Sequence, residues 1–535
     1  MADRHHLHLL KKGPTAWNHW REKHSHVQPN LREAKLIGAF LVGANLSLAD
    51  LTGADLREAN LRDANLSGAQ LHGANLNAAN LHGADLRAGS FIGANFNSVN
   101  LSGARLDGID LDGVYLYQVD LSRASLRGTH LRASRLAGAI LSGAHLEGAN
   151  LSGADLSGAN FSNAHLYHTN LSRADLSNVN LSNANLSGVN LSGVNLSAVQ
   201  FVGINLSGAN LREAHLSGAC LRRSNLSHTD LSGADLNRAD LRETQLIEAN
   251  LSNTDLREAM LGEARLDRAI LTRANLSDAD LSGAILLGAD FGETNLSGVK
   301  LMKTNLHGVR FREADLRNVQ LDGVLLDGAD FSYANFSHAD LRGMLLAGIT
   351  LCHANLRETN VSGADLSHAD LSEADLHLAN LAETVLLATN LRGADLSRAS
   401  LVKANLSGAN LHGANLSEAN ANGALFHQTR LSDADLCNVN FMHADCRAAD
   451  LSGTNLSQAH LQGADLERAD LYMAHCRGAD FRNTILKHAD LRGANLCDAD
   501  LRGANLQDAN LSGASLLGTR LAEIDPPIIQ NQLTR

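Results

Sequence analysis

Two histidines are spaced so that their imidazole rings can share a ligand. His145 and His165 occupy equivalent positions of the repeat described below, four repeats apart, and His168 follows on the same side. Zinc sites in proteins complete their ligand set with Cys, His or carboxylate groups. The pattern shows no such partner for this pair, so we expect solvated imidazoles and no metal site. The same expectation holds for a second group in the N-terminal segment, His5, His6 and His8.

Serine, histidine and aspartate are so frequent in this chain that triad-like combinations arise from composition alone. A catalytic site also needs a concave pocket, which loops commonly form. No insertion interrupts the five-residue rhythm from Leu31 to Leu521, so the sequence leaves no room for such loops. We therefore predict no catalytic residue, no cofactor and no enzymatic activity.

The six cysteines form no CxxC pair. Reduced thiols are typical of cytosolic proteins. No apolar stretch is long enough to cross a membrane or to serve as a signal peptide. The predicted location is the cytoplasm.

The strongest pattern is a period of five. Every fifth residue from Leu31 to Leu521 is apolar, and most of the 99 positions are Leu, with exceptions such as Val361, Ala421 and Cys446. A helix places apolar residues about 3.6 apart and a strand 2.0 apart, so neither explains this spacing. A fixed period over most of a chain indicates a solenoid built from one repeated unit.

The repeated unit has the consensus A-(N/D)-L-(S/R)-G, as in ANLSG at residues 149–153 and ADLRE at residues 54–58. This pattern resembles the pentapeptide-repeat family over about residues 30–524. The resemblance implies an all-β fold, a right-handed quadrilateral (four-sided) β-helix solenoid with four repeats in each coil. In such a coil Phe291, Phe311 and Phe331 would stack in one column, and rings near Ala421 would fill the volume that it leaves.

The residues outside the repeats define three predicted segments. Residues 1–29 form an N-terminal helical leader or cap, residues 30–524 the pentapeptide-repeat β-helix, and residues 525–535 a C-terminal tail. The WNxWR sequence of the leader looks like segments that precede arrays in this family, and we expect Trp17 or Trp20 to cover the first coil. All four prolines lie outside the array, where no amide is needed for a ladder of hydrogen bonds, at Pro14, Pro29, Pro526 and Pro527.

The resemblance also implies a possible mimic of DNA, because some family members resemble a duplex closely enough to bind DNA gyrase. Residues 30–524 carry a net charge of −15, or about one charge per 8 Å at strand spacing, against about one per 1.7 Å in duplex DNA. Gyrase-binding members rely on protruding loops and a C-terminal dimerising helix, which this sequence lacks. A modulator of DNA gyrase or another topoisomerase is therefore the alternative function.

One side of the predicted coil departs from the consensus. The residue before the central one is normally Asn or Asp. On one side of the coil, the side formed by Leu46 and the central residues that follow it every 20 positions, six aliphatic residues occupy this place. In two repeats of the same side the residue after the central one is aliphatic as well. Elsewhere the position before the central residue is aliphatic only at Ile140, Met260 and Ile270. Drift in a tolerant repeat explains isolated cases, whereas clustering favours an interaction surface. We call this set the aliphatic stripe: Ile285, Leu287, Leu325, Leu345, Val385, Leu387, Leu425 and Ile485.

The sequence therefore predicts a non-enzymatic, β-helical scaffold or spacer that binds proteins. The partner is either an unknown protein or a second copy of the chain. Neither direct binding of nucleic acid nor binding to a membrane is expected.

Overall fold

The computed structural model describes residues 1–321, 323–326 and 328–521. The predicted tail, residues 525–535, lies outside the described residues. Two compact units divide the chain, unit 1 (Met1–Met260) and unit 2 (Leu261–Arg535), and each is described by itself. No helix in the described part of the chain is long and apolar enough to cross a membrane.

Two short helices open unit 1. Helix α1 (Arg4–Lys11) begins where the Asp3 carboxylate accepts hydrogen bonds from the backbone N–H groups of His5 and His6, as an N-cap residue does. Helix α2 (Pro14–Lys23) follows directly. Gly13 separates the two helices at φ 108°, a conformation that glycine adopts easily, and Pro14 begins α2 because proline needs no hydrogen-bonded N–H there.

Helix α2 fastens the leader to the first coil of unit 1. Trp17 is fully buried and its indole N–H donates to the Asn45 carbonyl over 2.8 Å. The Arg21 guanidinium donates to the carbonyls of Val27 and Ser47 over 2.6 and 3.0 Å. The predicted helical cap is confirmed, and the tryptophan that covers the coil is Trp17, since Trp20 is only half-buried.

We expect Trp17→Ala to destabilise the first coil by about 3–5 kcal/mol, because the change leaves a cavity and removes a hydrogen bond. Hydrogen exchange should speed up at residues 31–60 and stay unchanged near residue 200, since solenoid stability is local. Trp20→Ala is the matched control, with a smaller expected effect. Equal protection in both variants would contradict the capping role.

The rest of each described unit is a right-handed four-sided β-helix, as the sequence predicted. No strand among the described residues is longer than one residue: most repeats contribute one parallel bridge to the equivalent repeat of the next coil, such as Asn150 to Asn170. In most repeats three N–H groups bond to adjacent coils. In residues 149–153 these are Asn150 to Thr129, Leu151 to Asn170 and Gly153 to Ser172, over 2.7–2.9 Å.

The Asn or Asp before the central leucine stabilises the backbone next to it. The Asn150 side-chain oxygen accepts a hydrogen bond from the Ser152 N–H over 3.1 Å, and the same contact recurs through both units, for example from Ser367 to Asp365. Only a short side chain with an acceptor oxygen can close this Asx turn. The consensus residue at this position is thus explained by a local hydrogen bond.

The central residue and the alanine two places before it form the core. Leu151 and Ala149 have at most 1% of their surface exposed. In unit 2 the rings of Phe291, Phe311 and Phe331 stack with centroids 5.2 and 4.9 Å apart. The predicted column of rings is confirmed.

The space around a small central residue is shared with aromatic rings, as predicted. Ala421 is fully buried in unit 2, and Phe441, which occupies the equivalent position of the next coil, is buried as well. The Phe426 ring meets the Phe441 ring edge-on with centroids 5.0 Å apart. Larger side chains in the same coil and in the next one thus accompany the smaller side chain of Ala421.

The second residue after each central leucine turns the corner with a left-handed backbone. Gly153 has φ 66°, and the Ala154 N–H closes the turn on the Leu151 carbonyl over 3.0 Å. Many other residues adopt this conformation, including Ala133 at φ 50°. Residues with a Cβ are strained there by about 1–2 kcal/mol.

We expect Gly108→Ala to lower the stability of unit 1 by about 1 kcal/mol through backbone strain alone, because no neighbouring atom lies within 4 Å of the added Cβ. The reverse change, Ala133→Gly, should stabilise the unit by up to about 1 kcal/mol. Thermal unfolding checks both. Shifts of the same sign for the two variants would show that strain at this turn position is unimportant.

Candidate functional site

The aliphatic stripe lies entirely in unit 2 and points outward. Leu345 is 77% exposed, and the other members are exposed to 38% or more apart from the half-buried Val385. Large aliphatic side chains at such exposure are unusual when they cluster. The residues that the sequence singled out are therefore accessible to a partner.

Parallel bridges align most of the stripe in one row. Ile285 pairs with Asn305, which pairs with Leu325. A second run of bridges begins at Leu345 and continues through Val385 and Leu425 to Ile485. Leu287 and Leu387 lie two residues after row positions, in the adjoining turns.

An aliphatic residue in this row gives up the Asx turn. Its side chain cannot accept the hydrogen bond that Asp365 receives from Ser367 over 2.9 Å. It also exposes apolar surface in place of a polar group. Both changes cost stability in an isolated chain, so their repetition in one row favours a surface that is covered in use.

Between residues 285 and 428 the side that carries the stripe is poor in charge, whereas from there to Ile485 it holds Asp445, Arg447, Asp465, Glu467 and Arg468. Its described outward positions between residues 285 and 428 hold one charged residue, Asp365, and the sequence adds Asp327, which lies outside the described residues. The sequence analysis missed this depletion because it summed net charge over the whole array. Protein interfaces are depleted of charge at their centres. The next side, between residues 290 and 413, holds nine charged residues: Asp290, Glu293, Arg310, Arg312, Glu313, Asp330, Asp370, Glu373 and Arg392.

A cleft of 860 Å³ opens beside Leu325 and Leu345. Asp340 and Arg342 are the titratable groups on its described walls, and they form a salt bridge with 2.6 Å between Nη2 and Oδ2. Side-chain hydrogen bonds from Arg342 lower the pKa of the Asp340 carboxyl group. A carboxylate held in this way is a poor base, so the cleft offers space next to the stripe without evident catalytic groups.

Many of the acidic side chains are neutralised within their own repeat. Arg57 donates two hydrogen bonds to Asp55, over 2.8 and 2.9 Å, and thereby lowers the pKa of that carboxyl group. Such bidentate pairs interrupt a row of carboxylates that could imitate phosphates. The same pair, two residues apart, recurs with Arg87, Arg242, Arg257, Arg317, Arg342, Arg447, Arg482, Arg492 and Arg502.

The six cysteines are unpaired and differ in burial. Cys446 and Cys476 replace central leucines, and burial raises the pKa of the Cys446 thiol and raises that of Cys476 to about 12. Burial also raises the pKa of Cys437, with Asp435 contributing. None of these three is an activated nucleophile, because activation requires a lowered pKa.

Thiol labelling at pH 8 should therefore leave Cys446 and Cys476 unmodified in the folded protein, since the thiolate is the reactive form. The half-buried thiols should react first, at Cys220, Cys352, Cys437 and Cys497. Mass spectrometry of the labelled protein locates the sites, and unfolding in guanidinium should expose the remaining two. Rapid labelling of Cys446 in the native protein would contradict its burial.

The histidine pair has an acidic neighbour in the structure. The His145 and His165 rings stack with centroids 4.6 Å apart and 10° between their planes. Glu147 Oε1 lies 3.2 Å from His145 Nδ1. This carboxylate was not predicted from the sequence. The signal was its position: Glu147 lies two residues after His145, and a side chain at that spacing can reach back, as Arg57 does to Asp55.

Comparison with protein families identifies repeats of one family along the chain. The family described as pentapeptide repeats matches residues 30–343, 345–381, 389–487 and 489–525 in overlapping segments. No curated protein sequence matches the chain.

Several solved structures are similar. HetL, a pentapeptide repeat protein involved in heterocyst differentiation regulation in the cyanobacterium Nostoc sp. strain PCC 7120, is 31% identical over 48% of this chain and 90% of its own, with a TM-score of 0.23. QnrB1, a plasmid-mediated fluoroquinolone resistance protein, is 21% identical over 37% and 97%, with a TM-score of 0.25. A pentapeptide repeat protein from the Arabidopsis thaliana thylakoid lumen is 35% identical over 20% and 66%, with a TM-score of 0.14.

Proposed function

The chain belongs to the pentapeptide-repeat family, and we propose that it is a non-enzymatic scaffold whose unit 2 binds a second copy of the chain through the aliphatic stripe. The observation that carries this proposal is the row of exposed aliphatic side chains between residues 285 and 425, in a stretch of this side that is poor in charge. Covering such a row is favourable by about 25 cal/mol for each Å² of apolar surface removed from water.

The order of residues in the row supports a second copy as the partner. Aliphatic and polar residues alternate in a pattern that is nearly the same in both directions. Between residues 285 and 425 the row contains, in order, Ile285, Asn305, Leu325, Leu345, Asp365, Val385, Asn405 and Leu425. Asp445 and Asp465 follow and separate this stretch from Ile485, which lies outside the proposed pairing. A two-fold interface brings the same surface of both copies together, so a row of this kind complements itself.

An antiparallel pairing centred between Leu345 and Asp365 would place Ile285 against Leu425 of the second copy. Leu325 would then meet Val385. The remaining matched position brings Asn305 against Asn405, whose amide groups can hydrogen-bond to each other.

The two central positions differ, and the structure shows how the acidic one is accommodated. The Asp365 carboxylate accepts hydrogen bonds from the Ser367 N–H and hydroxyl over 2.9 and 2.6 Å. These bonds lower the pKa of that carboxyl group. The Asp365 carboxylate therefore keeps its hydrogen bonds to Ser367 when the interface buries it against Leu345 of the second copy.

Two further observations support a protein without enzymatic activity that is located in the cytoplasm. The cleft beside the stripe contains a salt-bridged Asp340 and Arg342, which makes neither side chain a ready acid or base. The six unpaired cysteines fit a reducing compartment.

We expect the triple variant Leu325→Asn, Leu345→Asn, Val385→Asn to remain folded, because Asn is the residue the repeat prefers and restores the Asx turn. It should not associate, whereas the natural protein should form dimers at tens of micromolar. Sedimentation velocity over a concentration series measures both. Ile270→Asn is the matched control, since Ile270 occupies the same repeat position on another side of unit 2 with 44% exposure.

A monomeric natural protein at those concentrations would overturn the proposal, and so would equal loss of dimer in the Ile270→Asn control. The register is tested separately in a background with Ser at the four half-buried cysteines. A mixture of Ile285→Cys and Leu425→Cys proteins should form a disulfide between copies, and either protein alone should form much less. Dimers without this preference would refute the antiparallel alignment.

A further inference from the structure

We propose that His145, Glu147 and His165 in unit 1 form a binding site for a divalent transition-metal ion of the zinc type. One ligand atom from each of these side chains lies within 4.8 Å of the other two. No other group of three such residues was found among the described residues. The site lies in unit 1 and is independent of the stripe in unit 2.

The backbone ladder holds the two histidines in adjacent coils. Their backbones form a parallel bridge, and each N–H bonds to the preceding coil, His145 to Ala124 and His165 to Ala144, over 2.9 Å. The side chains therefore leave the surface side by side, which explains the stacked rings. Glu147 comes from the turn that follows His145 and folds back toward it.

The distance between the first two ligand atoms already suits a metal. Zinc lies about 2.0–2.2 Å from nitrogen and oxygen ligands, so two ligands of a tetrahedral site are about 3.3 Å apart. His145 Nδ1 and Glu147 Oε1 are 3.2 Å apart. His165 has to turn inward to complete the site, and its exposed side chain leaves space for this rotation.

Without a metal the contacts of His145 are in conflict. Its Nδ1 lies 3.2 Å from a carboxylate oxygen of Glu147 and 3.2 Å from Nη2 of Arg127. One ring nitrogen cannot both donate to the carboxylate and accept from the guanidinium. Glu147 Oε2 is buried and has no hydrogen-bond partner among the described residues, although Arg127 Nε lies 3.3 Å away. A metal bound to Nδ1 and the carboxylate would resolve the conflict.

Arg127 opposes the metal through its charge. Its guanidinium occupies the side of the site where a cation would bind, but more than half of the side chain is exposed and it can turn away. At about 5 Å in water, removing one positive charge near a divalent ion strengthens binding about tenfold. Arg127 therefore competes with the metal for the site, and its removal should increase affinity.

The ligand set also selects the class of metal. Two imidazoles and a carboxylate suit Zn²⁺, with a water in the fourth position. Cu²⁺ and Ni²⁺ bind similar groups, whereas Mg²⁺ and Ca²⁺ require oxygen ligands.

Titration calorimetry with Zn²⁺ alone tests the proposal in the full-length protein carrying His5→Asn and His8→Asn, which removes the two exposed histidines of helix α1 and so reduces background binding by the leader. We expect one Zn²⁺ equivalent whose affinity falls at least tenfold in His165→Asn and in Glu147→Ser. Both replacements are common at these repeat positions, so the fold should be retained. His215→Asn, at the same repeat position elsewhere in unit 1, is the matched control and should bind normally. Mg²⁺ should give no binding.

Arg127→Gln provides a second measurement that does not depend on a loss of binding. We expect it to bind Zn²⁺ about tenfold more tightly than the parent protein. Equal Zn²⁺ affinity in the parent, His165→Asn and Glu147→Ser proteins would overturn the site. Unchanged or weaker affinity in Arg127→Gln would overturn it as well, and this result stands even if the other variants fail to fold.

Discussion

Hydrogen bonding between backbone groups of adjacent coils, four repeats apart in the chain, is the interaction on which both units depend. The chain forms no strand longer than one residue among those described, so each repeat is held mainly by its neighbours in the adjacent coils. Three amides of most repeats are used in this way, and the turn of the same repeat closes a fourth bond, as in Ala154 to Leu151. This ladder leaves the central leucine and the preceding alanine no direction but inward, which produces the core.

The residue before the central leucine links the ladder to function. Its backbone belongs to the bridge, while its side chain reaches the surface. Asn and Asp at this position accept a hydrogen bond from the N–H two residues further on. A cluster of other residues at this position gives up that hydrogen bond and indicates a role at the surface. The stripe residue Leu345 and the histidine pair His145 and His165 are departures of this kind, and they supply a different surface chemistry to each unit.

Much of the fold could be predicted from the sequence because one period fixes which residues are inside. The column of Phe291, Phe311 and Phe331 followed from their 20-residue spacing together with the four-repeat coil that the family resemblance implied. The place of the leader followed from the sequence outside the repeats. Spacing could not show how flexible surface side chains arrange themselves. Glu147 was missed because its contact with His145 depends on a side-chain rotamer, and Trp17 could not be separated from Trp20 because the choice depends on how α2 docks.

The four-repeat coil also sets a counting rule for changes in the length of the chain. Insertion of one repeat between Leu345 and Val385 would keep the core pattern intact, since every central position remains apolar. It would nevertheless turn all later repeats of unit 2 by a quarter of a coil and move Val385 and Leu425 to another side. Only insertions or deletions of four repeats preserve the row. A lineage that retains this surface is therefore expected to change length in steps of one whole coil, even though the smallest unit that folds acceptably into the array is a single repeat.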